Sequence, residues 1–295
     1  MELVNELKIA VKKYPALARS LRDLKRRIHF GVHGYDASIY AHLRLFAPYG
    51  AGDPQARIAL ALQSASQTLP LLAQLSRDYA GQQTQELTAS EFCKLFDGQQ
   101  GAVHLQRLFF ENGSDKATFH NYHLVYGSLF RQPSSVRNFL EIGLGTNNLD
   151  VVSNMGQDGK PGASLRAFRE YLPNADIFGA DVDKRILFQE DRIRTFYVDQ
   201  TNLASFSELA QLDLQFDLII DDGLHSPNAN IAVLLFGLKR LAPRGWIVIE
   251  DIRTEALPVW RLVGSLLSPR HRSFLIEAER GFLFAVTDLD LRDAD

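Results

Sequence analysis

The stretch Arg137-Asn-Phe-Leu-Glu-Ile-Gly-Leu-Gly-Thr-Asn-Asn148 decides the fold. Phe139, Leu140 and Ile142 form an apolar run too brief for a helix, and Gly143 and Gly145 close it. That is the pattern of a buried strand entering a glycine turn. Glycine takes φ > 0 and lets another molecule approach the backbone closely. A strand ending in such a turn is where an open α/β sheet accepts a nucleotide-like ligand.

Downstream, strands alternate with helices as far as Asp251. A polar loop over residues 147–162 comes first, and loops of that length inside a compact domain are usually functional or mobile. A helix is expected over Ala163–Tyr171, then strands at Asp176–Asp183, Arg194–Asp199, Phe216–Asp222 and Gly245–Asp251. Helices at about 203–212 and 228–241 separate the later strands. Two last runs, Ser273–Glu277 and Gly281–Thr287, meet at a short turn and form a hairpin. The fold class is α/β: a doubly wound, Rossmann-like sheet with a C-terminal β-hairpin.

Upstream the pattern is mainly helical to about Leu129, with no strand alternation. Glu2–Phe30 is amphipathic and carries Lys8, Lys12, Lys13, Arg19, Arg22 and Lys25 to Arg27 on its polar side. Glu2, Glu6 and Asp23 dilute that stripe and Pro15 interrupts it, so a solvated face is the simpler account. Weak contact with an anionic membrane surface is the alternative. Gly31–Asp53 suggests a loop and a short helix. Gln55–Tyr79 is a helical pattern that Pro70 should end or kink. Further helices fit Ser90–Phe96 and Val103–Phe110. Residues 1–112 thus form a helical auxiliary region, for homo-oligomerisation or for covering a substrate, and 113–295 form the sheet domain.

Composition excludes several classes. Hydrophobic residues make up 46% and charged residues 23%, as in soluble globular proteins. A net charge of −3 supplies no field for nucleic acid, and no nucleic-acid signature occurs. The lone Cys93 leaves no internal disulfide and fits a reducing compartment. The longest apolar run, Ile231–Leu238, is too short to span a bilayer. The N-terminus has no signal-peptide core, so a cytoplasmic location is expected.

Each of the first five strands ends, at its C-terminal side, in an acid or a glycine: Glu141/Gly143, Asp181, Asp199, Asp221/Asp222 and Glu250/Asp251. Aspartate at one strand exit is ordinary turn chemistry. An ordered set is different, because in a doubly wound sheet these ends open onto one crevice. Asp181, with Asp183 as its substitute, suits the two hydroxyls of a ribose. The glycine turn lacks the third glycine of G-x-G-x-x-G, and no short loop launches a helix after it. A pyrophosphate at a helix N-terminus is therefore disfavoured. A nucleoside without phosphates fits better, and S-adenosylmethionine is one.

Five segments carry a family resemblance: Phe139-Leu-Glu-Ile-Gly-Leu-Gly145, Gly179-Ala-Asp-Val-Asp183, Phe196-Tyr-Val-Asp-Gln200, Leu218-Ile-Ile-Asp-Asp-Gly-Leu-His225 and Ile247-Val-Ile-Glu-Asp251. Together they resemble the ordered motifs of class I S-adenosylmethionine-dependent methyltransferases. The Asp-Asp-Gly-x-His segment with a later Ile-Glu-Asp is similar to the metal-dependent branch that methylates macrolide sugars, the mycinamicin and macrocin O-methyltransferases. Gly113-Ser-Asp-Lys116, His120, Tyr122 and Ser164-Leu-Arg166 also match that branch. The resemblance spans roughly Gly113–Thr287.

Carried over, it implies Mg²⁺ held by Asp222 and Asp251, with Glu141 as the candidate third ligand. His225 takes the place of the general base, and Asp222 shares the catalytic role through the metal. Gly143, Gly145, Glu141, Asp181, Asp199 and Asp221 fall to the methyl donor, and Lys116 and Tyr122 to its amino-acid end. Packing is an equal account of Tyr122, and support of the strand exit is the alternative for Asp221. Leu224 departs from the small serine usual in the motif. The activity implied is O-methylation of a sugar hydroxyl on a bacterial glycan or glycosylated natural product. Histidine changes charge nearest neutral pH and can take the hydroxyl proton. A catechol-like small-molecule O-methyltransferase shares the same metal logic. An NAD-dependent nucleotide-sugar oxidoreductase is disfavoured by the missing glycine and by the lack of a Tyr-x-x-x-Lys dyad.

Overall fold

The computed structural model describes residues 42, 43, 46, 54–79, 84–268 and 270–288. The amphipathic segment Glu2–Phe30, with its basic face and any membrane contact, lies outside the described residues, as does most of the segment 31–53. Among the described residues, no helix is long and apolar enough to cross a membrane.

The strands are β1 (Gln85–Thr88), β2 (Asn138–Ile142), β3 (Asp176–Asp181), β4 (Gln189–Glu190), β5 (Ile193–Tyr197), β6 (Phe216–Asp221), β7 (Leu241–Ile252), β8 (Arg272–Glu277) and β9 (Phe282–Thr287). They make one sheet in the order β1-β8-β9-β7-β6-β2-β3-β5-β4. β2 pairs in parallel with β3 on one side and β6 on the other. The chain therefore winds outward in both directions from β2, and the crevice between the ends of β2 and β6 is the topological switch point. β9 is antiparallel to both β7 and β8, which forms the expected hairpin.

The helices are α1 (Pro54–Tyr79), α2 (Ala89–Leu95), α3 (Gln99–Asn112), α4 (His123–Tyr126), α5 (Ala163–Tyr171), α6 (Ser207–Gln211), α7 (Pro227–Leu238) and α8 (Leu257–Leu267). Alternate strand residues feed two cores, because neighbouring side chains on a strand point to opposite faces. Phe139, Ile177, Leu218 and Trp246 pack with Phe109, Tyr126 and Phe168 from α3, α4 and α5. Leu140, Phe178, Ile219 and Ile247 pack with Leu209, Val233 and Trp260 from α6, α7 and α8. Burial on both faces explains why these strands are continuously apolar.

Four expectations need correction. The contacts divide the chain between Leu71 and Leu72 rather than at 112/113, and residues 85–112 belong with the sheet. β1 lies in the segment expected to be all helical and pairs in parallel with β8 at the sheet edge. Its sequence, Gln-Glu-Leu-Thr, is mostly exposed. An exposed edge strand shows no apolar alternation. Of the two outcomes expected at Pro70, the helix end does not occur, because Pro70 sits inside α1. Finally, α7 stops at Leu238 and β7 starts at Leu241, ahead of the Gly245 expected to open that strand, and its pairing with β6 shifts register there.

Candidate active site

Gly143 follows β2 at φ +101, and Gly145 sits at φ +75. A Cβ on Gly143 would stand 2.0 Å from the carbonyl oxygen of Asp222, so the turn is pressed against the exit of β6. Both the left-handed φ and the close approach require glycine. Gly143→Ala is therefore expected to lower the melting temperature by roughly 5 °C, as strain on the order of 2 kcal/mol does in a domain this size. Thermal denaturation of the purified variant measures it, and an unchanged midpoint would contradict the packing.

Asp181 braces the same turn: its Oδ2 accepts from the Leu144 amide at 2.8 Å and its Oδ1 from the Asp183 amide at 2.8 Å. Asp183 is committed elsewhere, accepting from Thr146 Oγ1 and Asn148 Nδ2 at 2.7 Å and from Arg185 Nε at 2.7 Å. Those bonds, led by Arg185, hold its carboxyl well below the usual range. Asp183 therefore anchors the polar loop and is no substitute for Asp181. Asp199 accepts from the Thr201 amide and hydroxyl at 2.9 and 2.7 Å, which is turn chemistry at a cavity wall. No short loop leads from the glycine turn into a helix; the chain runs on to Gly162 before α5 begins.

The acids beyond β6 and β7 divide into those that face in and those that face out. Asp221 is wholly buried and accepts from Gln200 Nε2 at 2.7 Å and Asn230 Nδ2 at 2.8 Å. Burial pushes its carboxyl up to about 6. Asp222, one residue on, is partly exposed. In β7 the pairing with β9 slips between Ile249 and Ile252, and Asp251 takes φ +56. Such irregularities re-aim a side chain. Glu250 consequently points into the protein at 1% exposure, while Asp251 reaches the cavity. His225, at φ +55, precedes the Ser226-Pro227 start of α7. Left-handed backbone at non-glycine residues costs on the order of 1–3 kcal/mol and clusters at functional sites.

Asp222, His225 and Asp251 form one cluster in which each offers a ligand atom within 4.8 Å of the others. His225 Nε2 lies 3.5 Å from Asp251 Oδ2 and 3.9 Å from Asp222 Oδ1. The three line a cavity of about 560 Å³ together with Gly143, Gly145, Asp181 and Asp199. Phe119, Val151, Val152, Met155 and Leu224 add an apolar wall.

Behind the cluster lies Lys116, at 2% exposure. Its Nζ stands 2.6 Å from Asp222 Oδ2, 2.6 Å from Glu250 Oε2 and 3.4 Å from Glu141 Oε1. Tyr122 donates its hydroxyl to Asp251 Oδ1, and Tyr126 donates to Glu250 Oε1. Burial works against the Lys116 charge, but the carboxylates, Asp222 foremost, hold its ammonium well above the ordinary value. Burial likewise opposes the Asp222 charge, and Lys116 overcomes it, holding that carboxyl below the usual range. Burial and the Asp222 charge push Glu250 well up, and burial pushes Glu141 up to about 7 against the pull of Lys116. The balance is a Lys116–Asp222 ion pair flanked by two carboxyls biased toward their neutral form.

Four placements expected from the sequence change accordingly. Glu141, expected at the metal and the methyl donor, is fully buried; its Oε2 accepts from Ser164 Oγ at 2.5 Å and its other oxygen faces Lys116. Asp221 supports the strand exit. Lys116 and Tyr122 grip carboxylates instead of lining the cavity. The supporting roles of Tyr126 and Glu250 have no sequence signal, since nothing local marks a buried tyrosine or acid as a support for its neighbour.

A sheet ordered β5-β3-β2-β6-β7-β9-β8 at its centre, with β9 antiparallel and a glycine turn after β2, is the fold of class I S-adenosylmethionine-dependent methyltransferases. Sequence relatives lie among sugar O-methyltransferases. The chain is 29% identical over 157 residues to the 8-demethyl-8-alpha-L-rhamnosyl tetracenomycin-C 2'-O-methyltransferase of Streptomyces olivaceus, covering 53% of this chain and 40% of that one. It is 35% identical over 98 residues to the mycinamicin VI 2''-O-methyltransferase of Micromonospora griseorubida, covering 33% and 24%. The chain thus spans less than half the length of these curated relatives. A solved structure of the mycinamycin-pathway methyltransferase MycE with Mg, SAH and mycinamycin VI aligns at 27% identity and a TM-score of 0.43, over 50% of this chain and 36% of that one. No family model matches the sequence.

Proposed function

We propose that this chain is an S-adenosylmethionine-dependent O-methyltransferase acting on a sugar hydroxyl of a glycosylated natural product or bacterial glycan, with a divalent metal at its site. One observation carries it: Asp222, His225 and Asp251 meet in the same cavity that the glycine turn and Asp181 line. The residues fit a hard cation. Two carboxylates of 27% and 29% side-chain exposure offer oxygens to the cavity, and their far oxygens are anchored from behind. Asp222 and Asp251 would hold Mg²⁺, which takes oxygen ligands and lowers the pKa of a hydroxyl bound to it.

The remaining chemistry belongs to the chain. Asp181 and the glycine turn would seat the nucleoside in the cavity that His225 and the two acids also line. The acceptor oxygen forms its bond to the methyl carbon as the sulfur–carbon bond breaks, and the electron pair stays on sulfur. His225 Nε2 takes the hydroxyl proton. Alignment of oxygen, carbon and sulfur supplies much of the acceleration. Phe119, Val151, Val152 and Leu224 offer apolar surface for an aglycone, and sugar oxygens suit the acidic end.

The test is incubation with S-adenosylmethionine, Mg²⁺ and a panel holding a rhamnosylated polyketide, its aglycone and a catechol. The expected product gains one methyl group on the sugar alone, and EDTA abolishes it. Methylation confined to the catechol would overturn the acceptor assignment. Failure to bind S-adenosylhomocysteine by calorimetry would overturn the whole reading.

A further inference from the structure

We propose that Tyr122 and Lys116 are positioning residues for the metal-binding carboxylates: a buried hydroxyl and a buried ammonium that hold one oxygen of each acid so that the other faces the cavity. The inference rests on the function proposed above and extends it to residues outside the cavity.

Tyr122 is 1% exposed and its hydroxyl donates to Asp251 Oδ1, which leaves Oδ2 as the atom nearest His225, at 3.5 Å. Lys116 Nζ takes Asp222 Oδ2 at 2.6 Å, which leaves Oδ1 on the His225 side, at 3.9 Å. In both acids the anchored oxygen and the presented oxygen are different atoms. His120, stacked on Tyr122 with centroids 4.4 Å apart, fixes the phenol ring from its face. Lys116 and Tyr126 also share Glu250, Lys116 at 2.6 Å, and so draw the middle acid of Ile249-Glu250-Asp251 away from the cavity. Of Asp222, Glu250 and Asp251, two are offered.

Partners that orient metal-binding side chains from behind govern affinity, and losing one typically costs about 10–100-fold. Tyr122 and Asp251 both sit on the described sheet unit, and Phe conserves the ring, so Tyr122→Phe removes the hydroxyl with little change in packing.

The experiment is Mn²⁺ titration of the whole chain, followed by the spin-resonance signal of free Mn²⁺, with calorimetry of S-adenosylhomocysteine run in parallel. Tyr122→Phe is expected to weaken Mn²⁺ binding by about tenfold or more while donor affinity stays within about twofold. Lys116→Arg, which keeps the charge in a longer fork, is expected to retain more Mn²⁺ affinity than Lys116→Met. Unchanged Mn²⁺ affinity in Tyr122→Phe, alongside its loss in Asp251→Asn, would overturn the positioning role and leave the proposed function standing. No Mn²⁺ binding by the unaltered chain would overturn both.

Discussion

His225→Ala is expected to slow methyl transfer by about 10²–10⁴-fold, the range a lost general base produces. A sugar hydroxyl holds its proton far above neutral pH, so an oxygen nucleophile needs an acceptor beside it. Among the groups of the cluster, His225 is the one whose lone pair is not a carboxylate already tied to a buried partner. Its Nε2 lies within 4 Å of both acids, which orient the ring. The competing account is structural: His225 sits at φ +55 just before α7, and a poor replacement there could disturb the helix start. His225→Asn separates the two, because asparagine tolerates the left-handed region and carries no base. Single-turnover rates, calorimetry of S-adenosylhomocysteine and a melting curve make the comparison. Both variants should bind the donor normally, and the asparagine variant should melt within a few degrees of the parent. A rate within tenfold of the parent in His225→Asn would assign the proton to another group.

The glycine turn and the order of acids were legible because each is written in a few adjacent residues. A short apolar run, two glycines and a terminal aspartate need no knowledge of the rest of the chain. Which acid of each pair faces the cavity was not legible. That depends on the register slip at Ile249–Ile252 and on left-handed backbone at His225 and Asp251, neither of which has a composition signal. Lys116 was misplaced for a related reason. It stands 106 residues from Asp222 and 134 from Glu250, and only the completed sheet brings the three together. β1 escaped notice because an exposed edge strand obeys no apolar alternation. Local chemistry therefore pointed to the cavity, and long-range packing decided which side chains line it.

Lys116→Met is expected to destabilise the fold by about 3–5 kcal/mol at pH 8, since breaking a buried pair strands a charge. For a domain of this size that is a fall of roughly 6–20 °C in melting temperature. Methionine keeps the apolar stem, so the loss reports the ammonium. The deficit should also depend on pH in one direction. Glu141, already pushed up to about 7 by burial against the pull of Lys116, goes higher once the ammonium is gone, and Glu250 moves the same way. A carboxyl whose folded pKa lies above its unfolded value of about 4.3 contributes its full stability below that value. It loses that contribution as pH rises through the folded pKa, because the unfolded chain ionises first. Asp222 runs oppositely in the parent: Lys116 holds it low, and that stabilisation is present above the unfolded aspartate value and vanishes in the variant. The Asp222 loss is already complete above the unfolded aspartate value of about 3.9, so the gap widens from about pH 4.5 to 8 through the two glutamates. Melting curves of parent and variant at pH 5 and pH 8 read it directly, with the larger deficit at pH 8. Adding Glu250→Gln should recover part of the loss at pH 8 and little at pH 5, because only the ionisable form is penalised. Equal deficits at the two pH values would mean that Lys116 holds the site by packing alone.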